Sequence, residues 1–76
     1  MKIPAINMEK TGEQIINLRK KAGISVHLLT QEFGFATPQA IYKWQQGRSL
    51  PTVDNLVILA ALLNVTIDDI LVIEKK

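Results

Sequence analysis

Gln39 and Lys43 stand four residues apart in TPQAIYKWQQG, residues 37–47, with Ala40 between them. On a helix, positions four apart share one face. An amide, a methyl and an ammonium would then project together. A carboxamide offers a donor beside an acceptor, which complements adenine N6 and N7. A lysine can reach guanine O6 and N7, and a methyl permits close approach or contact with a thymine methyl. Gln39, Ala40 and Lys43 are therefore candidate base-reading residues. Thr37 and Pro38 at the helix start, Tyr42 one turn on, and Arg48 and Ser49 just beyond form a set suited to sugar and phosphate. The chemistry implied is recognition by hydrogen bonds and charge, with no covalent step.

Each of these residues also has a plainer reading. Gln39 is a good solvated helix former, and Lys43 an ordinary surface lysine. Tyr42 is equally suited to packing on a rim. Trp44 reads as core rather than as a stacking platform. Arg19, Lys20 and Lys21 complement a helix C-terminus, and one of the lysines is a further candidate for a phosphate. His27 is the single histidine, expected on an exposed helix face. With no cysteine and no acidic cluster at ligand spacing, it predicts no metal site. Asp68 and Asp69 are adjacent, so on a helix they point about 100° apart, and capping explains Asp69. No nucleophile elbow, phosphate loop or dinucleotide-binding glycine pattern occurs. Neither an enzyme nor a cofactor is expected.

The elements that must position these residues follow from caps and periodicity. Pro4 precludes a helix at the N-terminus, where Ile3, Ala5 and Ile6 suit a short extended arm on a sheet edge. Thr11 with Gln14 reads as a capping box opening a first helix. Ile15, Leu18 and Ala22 give that helix its stripe, with Ile16 alongside, and Gly23 ends it. Ser25 caps a second helix, 26–33, burying Leu29 and Phe33 before Gly34. Thr37 is the expected cap of a third, 37–46, with Pro38 at its first position, Ile41 and Trp44 inward and Gly47 at its end. Thr52 opens a fourth near 53–63, whose stripe is Val53, Leu56, Val57, Ala60 and Leu63. Ile58, Leu59 and Leu62 widen its apolar surface, so burial from more than one side is expected. Thr66, with Asp69 three residues on, caps a short fifth helix. Leu71-Val72-Ile73 then suits either pairing with the N-terminal arm or covering a partner subunit. Five helices with tight connections predict an all-α orthogonal bundle, with a short β pairing of the termini as an option.

Composition sets outer bounds. The chain has 76 residues, 47% apolar and 21% charged, which fits one folded domain and not disorder. No apolar run approaches the roughly 18 residues that a membrane helix needs. The opening MKIPAINMEK has no long apolar core of a signal peptide. No Cys is present, so the simplest expectation is a cytoplasmic protein. Net charge is +2 and the pI about 9.2, which permits a polyanionic partner without requiring one.

LRKKAGIS (18–25), the Gly34 turn, TPQAIYKWQQGRSLP (37–51) and NLVILAALLNVTIDDIL (55–71) together resemble the lambda-repressor/Cro-like helix-turn-helix family, also called the xenobiotic-response-element type. The resemblance covers about Thr11 to Leu71. Each block is common alone; their order and spacing are specific. It implies a five-helix DNA-binding domain over 11–71, flanked by an arm, 1–10, and a tail, 72–76. It further implies a transcriptional regulator, typically a repressor, that reads double-stranded DNA as a homodimer with the third helix. No small-molecule ligand is implied. Three departures stand out. Val26 occupies the first position of the second helix, where the family commonly has a Gln that grips the DNA backbone. The turn before Thr37 is one residue longer. Gln45 stands where a Glu often pairs with the arginine of the first helix, here Arg19. Two other readings fit the same fold: a protein-interaction module that has lost DNA binding, and the antitoxin of a toxin–antitoxin pair.

Overall fold

The computed structural model describes residues 2–75. Its order is β1 (Pro4–Ile6), α1 (Met8–Lys21), α2 (Val26–Phe33), α3 (Gln39–Gln45), α4 (Val53–Leu63), α5 (Ile67–Ile70) and β2 (Ile73–Lys75). The expected five-helix bundle is present, and the termini pair as a small sheet. β1 and β2 are antiparallel, with Pro4 opposite Lys75, Ala5 opposite Glu74 and Ile6 opposite Ile73. In so small a sheet both strands are edges, which is where a proline without an N–H is tolerated. Among the described residues, no helix is long and apolar enough to cross a membrane.

Local signals set most helix ends. The Ser25 hydroxyl accepts from the Leu28 N–H at 3.0 Å, opening α2. α5 has a full capping box: the Thr66 hydroxyl accepts from the Asp69 N–H, and the Asp69 carboxylate accepts from the Thr66 N–H. Thr52 holds the cap position of α4, but its hydroxyl donates to the Asp54 carboxylate instead of accepting from the helix.

α1 starts earlier than the sequence suggests. Asn7 caps it, its side-chain oxygen accepting from the Lys10 N–H at 2.9 Å. Thr11 is not the cap; it is fully buried, and its hydroxyl accepts from the Val72 N–H at 3.0 Å. Gln14 donates to the Asp69 carbonyl at 2.8 Å. Residues three apart in a cap pattern are also neighbours on a helix face. Here that face ties α1 to the C-terminal segment, while Asn7, as good a cap as Thr, adds a turn in front.

α3 is shorter than expected. Residues 36–38 bend, Pro38 takes the cap position, and its carbonyl accepts the first helical bond from Tyr42 at 3.1 Å. Thr37 therefore lies one residue outside the cap, and Pro38 is not the first helical residue. α4 also differs: its buried line is Leu56, Leu59, Ala60 and Leu63, while Val53 and Val57 of the expected stripe face outward. A helix apolar all round carries little information about which face turns inward. Ala22 of the expected α1 stripe is the exposed C-cap just past the helix, and Ile15 is the fully buried member of that stripe. Ile15, Leu29, Ile41, Leu59 and Ile70 are each fully buried, so every helix sends at least one side chain into a common core.

Candidate functional site

The inner side of α3 fixes its orientation. Ile41 is fully buried and Trp44 nearly so. Phe33, at the end of α2, and Phe35, just past the turn, stack with centroids 5.1 Å apart. Both meet the Trp44 ring edge-on, at 5.4 and 6.0 Å. Such pairs add to simple burial. Thus the connection from α2 to α3 is itself part of the core, and the extra turn residue is anchored through Phe35.

The far end of α3 is held by backbone approach. A Cβ on Gly12 of α1 would lie 2.5 Å from the Gln45 carbonyl oxygen and 2.7 Å from that of Trp44. Gly47 has φ +72°, and a Cβ there would meet the Glu9 Cα and the Met8 oxygen at 2.9 Å. α1 and the end of α3 touch main chain to main chain at both places. Arg19 closes the same joint: its Nε donates to the Gln45 side-chain oxygen at 3.0 Å, and its Nη1 to the Ile24 carbonyl at 3.0 Å. The hydrogen bond survives where the family often has an ion pair.

The outer side of α3 presents two adjoining strips. Gln39, Ala40 and Lys43 border a shallow depression together with Thr37 and Ser49. Gln39, Lys43 and Thr37 are exposed, while Ala40 and Ser49 are partly buried. Pro38 and Tyr42, also four residues apart, face the other way, into a cleft shared with α2. Arg48 is exposed and borders neither depression. The structure therefore brings five of the eight candidate residues to one concavity and two to its neighbour, leaving Arg48 alongside.

The electrostatics favour an anion. From Phe33 to Val53 the chain contains no Asp or Glu, but it does contain Lys43 and Arg48. Neither depression has an acidic lining residue. The two displaced carboxyl groups lie elsewhere. Asp54 is held below the usual carboxylate range chiefly by the Thr52 hydroxyl, then by the Asn55 backbone N–H. Asp69 is lowered by the Thr66 backbone N–H and then its hydroxyl. Asp69 belongs to the α5 capping box, and Asp54 lies in the first turn of α4. Sequence reasoning did not single out Gly12 or Gly47 as packing points, nor His27 and Gln31 as neighbours of Tyr42. The i, i+4 spacing of His27 and Gln31 was the available signal for the latter pair; nothing local marks the glycine contacts.

A family model described as Helix-turn-helix matches residues 15–70, more than two thirds of the chain. No curated protein and no solved structure matches it.

Proposed function

The chain belongs to the lambda-repressor/Cro-like helix-turn-helix family of DNA-binding regulators, and from that premise we propose that it is a sequence-specific transcriptional repressor acting as a homodimer. α3 lies in the major groove of double-stranded DNA, where a helix fits and can meet base edges. The observation that carries this reading is the shared depression of Gln39, Ala40 and Lys43, on a helix whose opposite side is locked in the core. Gln39 reads adenine, Lys43 reads guanine, and Ala40 admits the groove edge or a thymine methyl. Thr37, Pro38, Tyr42, Arg48 and Ser49 hold sugar and phosphate. Cationic contacts are few, so salt dependence is moderate, with a slope of about 0.9 per neutralised phosphate.

The homodimer rests on exposed apolar surface of α4. Val53 is 79% exposed, Val57 53% and Ile58 43%. Apolar area of this kind marks an interaction face. The same face also favours a second reading, in which the chain is an interaction module that docks a different protein and has lost DNA binding. Selection of bound duplexes from a random pool, with sequencing, separates the two. A two-fold motif with half-sites one helical turn apart supports the dimeric regulator, and the Gln39→Ala, Lys43→Ala double variant should lose that motif. No enrichment by folded protein would leave the docking reading.

A further inference from the structure

The C-terminal ends of α1 and α4 leave an open groove between them. α1 stops at its C-cap Ala22, with Gly23 left-handed behind it, and α4 stops at the left-handed Asn64. Leu18 and Ile24 line the groove from the α1 side, Leu62 and Val65 from the α4 side. All four pack against the core and stay only partly buried. The groove shares no lining residue with the two depressions beside α3. Val53, Val57 and Ile58, the exposed apolar residues of α4, do not line it either.

The charge around this groove has one sign. Among the described residues, Lys21 is the one charged side chain of the lining. Glu13, the nearest carboxylate of α1 in sequence, precedes Lys21 by 8 residues, and Asp54 of α4 precedes Asn64 by 10. At about 1.5 Å of rise per residue, both stand roughly 12 Å or more back along their helices. Arg19 is committed to Gln45 and Ile24. Lys20 and Lys21 are exposed, and among the described residues their side chains have no partner. A helix C-terminus carries roughly half a negative charge. Two such ends against two lysines leave roughly one positive charge over. An apolar lining calls for an apolar side chain, which a nucleic-acid backbone lacks, and the surplus cation beside it calls for a carboxylate. We propose that this groove docks an acidic segment of a partner protein. The segment sets an aliphatic or aromatic side chain in the groove and a carboxylate against Lys21. The site is independent of the DNA-reading role of α3.

Short random peptides displayed as a library and selected on the full chain give the probe. Enriched peptides are expected to carry Asp or Glu close to an aliphatic or aromatic residue. Added to isotope-labelled protein, they should shift the methyl resonances of Leu18, Ile24, Leu62 and Val65. Lys21→Glu should weaken an enriched peptide about 3- to 10-fold, the scale of an exposed ion pair turned into a repulsion. The same peptide with Lys in place of its acidic residue should recover on the Lys21→Glu protein. Ala22→Glu, which sets a carboxylate in the lining, should weaken the original peptide too. Both replacements fall at exposed positions, so the fold is kept. Enriched peptides without acidic residues, methyl shifts confined to Val53, Val57 and Ile58, or undiminished binding by Lys21→Glu would each overturn the site. If Lys21→Glu alters the sedimentation of the chain alone, the groove belongs to a second copy and the acidic partner fails. If it costs affinity for the duplex enriched from the random pool and none for the peptide, the lysine serves DNA and the acidic partner fails again.

Discussion

Lys43 and Arg48 are both exposed cations, and the proposed function gives them different work. Lys43 shares the depression of Gln39 and Ala40, whereas Arg48 stands outside it, in the loop after α3. A base-reading side chain discriminates between sequences; a phosphate contact does not. Lys43→Ala should therefore flatten preference at one base pair, a loss of about 1–3 kcal/mol on the preferred sequence and little on a sequence already mismatched there. Arg48→Ala should weaken all duplexes alike and reduce the slope of log affinity against log salt by about 0.9. Titrations of both variants at several salt concentrations, on matched and mismatched duplexes, check this. Sequence-dependent loss for Arg48→Ala would exchange the roles. Spacing alone made Gln39 and Lys43 visible as a pair, because the i, i+4 relation is intrinsic to a helix. Which of the other candidates joined them depended on the bend at 36–38 and on the course of the loop, which local rules do not fix.

At the level of elements, the position of α3 depends on glycines that contribute no side chain. Three of them separate two effects. Gly12 has ordinary helical backbone but no room for a Cβ; Gly23 has φ +72° with nothing within 4 Å; Gly47 has both constraints. In a free helix Ala is preferred over Gly by about 1 kcal/mol. Against this, a Cβ at position 12 meets carbonyl groups that cannot rotate away, and overpacking costs about 1–3 kcal/mol. Gly12→Ala is accordingly expected to destabilise, against helix propensity. Gly23→Ala should cost about 1–2 kcal/mol through its left-handed backbone, and Gly47→Ala should cost the most of the three. Thermal unfolding of the set gives the order directly. A stabilised Gly12→Ala would mean that α1 and α3 can move apart. The ends of α2 and α5 were legible in the sequence because each cap is made within four residues. Thr11 and Gln14 misled because their partners, Val72 and Asp69, lie 61 and 55 residues away.

The α5 cap also carries a pH dependence. The Asp69 carboxyl is lowered in the folded chain by its bonds from Thr66. A depressed carboxyl group contributes stability above its unfolded value, near 3.9, and that contribution disappears as pH falls through the lower folded value. Melting temperature should therefore fall as the solution is acidified below about pH 4. Asp69→Asn should lower it at neutral pH and make the acid limb shallower. An unchanged acid limb in the variant would assign the dependence to other groups, Asp54 first, since its carboxyl is lowered by Thr52 in the same manner.

For the whole molecule, the proposed function raises the question of how one short helix could suffice. The 7 residues of α3 would, on that proposal, offer few base contacts, and a mismatched pair typically costs only about 1–3 kcal/mol. Two copies on a two-fold site double the pairs read, and linking two binding events raises affinity by about 10²–10⁴ without new contacts to DNA. An isologous interface needs a patch that meets itself. Val57 and Ile58 lie on an exposed apolar part of α4, whose buried line is already spent on the core. Val57→Glu would set like charges against each other at such an interface, while in the isolated chain it lies where solvent already reaches. The variant should therefore stay helical, sediment as a monomer and keep the wild-type preference on a half-site. On the full two-fold site it should lose about 10²–10⁴-fold in affinity. Sedimentation velocity and binding to half and full sites decide the matter together. A variant that remains dimeric would move the interface away from α4. A monomer with undiminished full-site affinity would show that two independently bound chains account for the site.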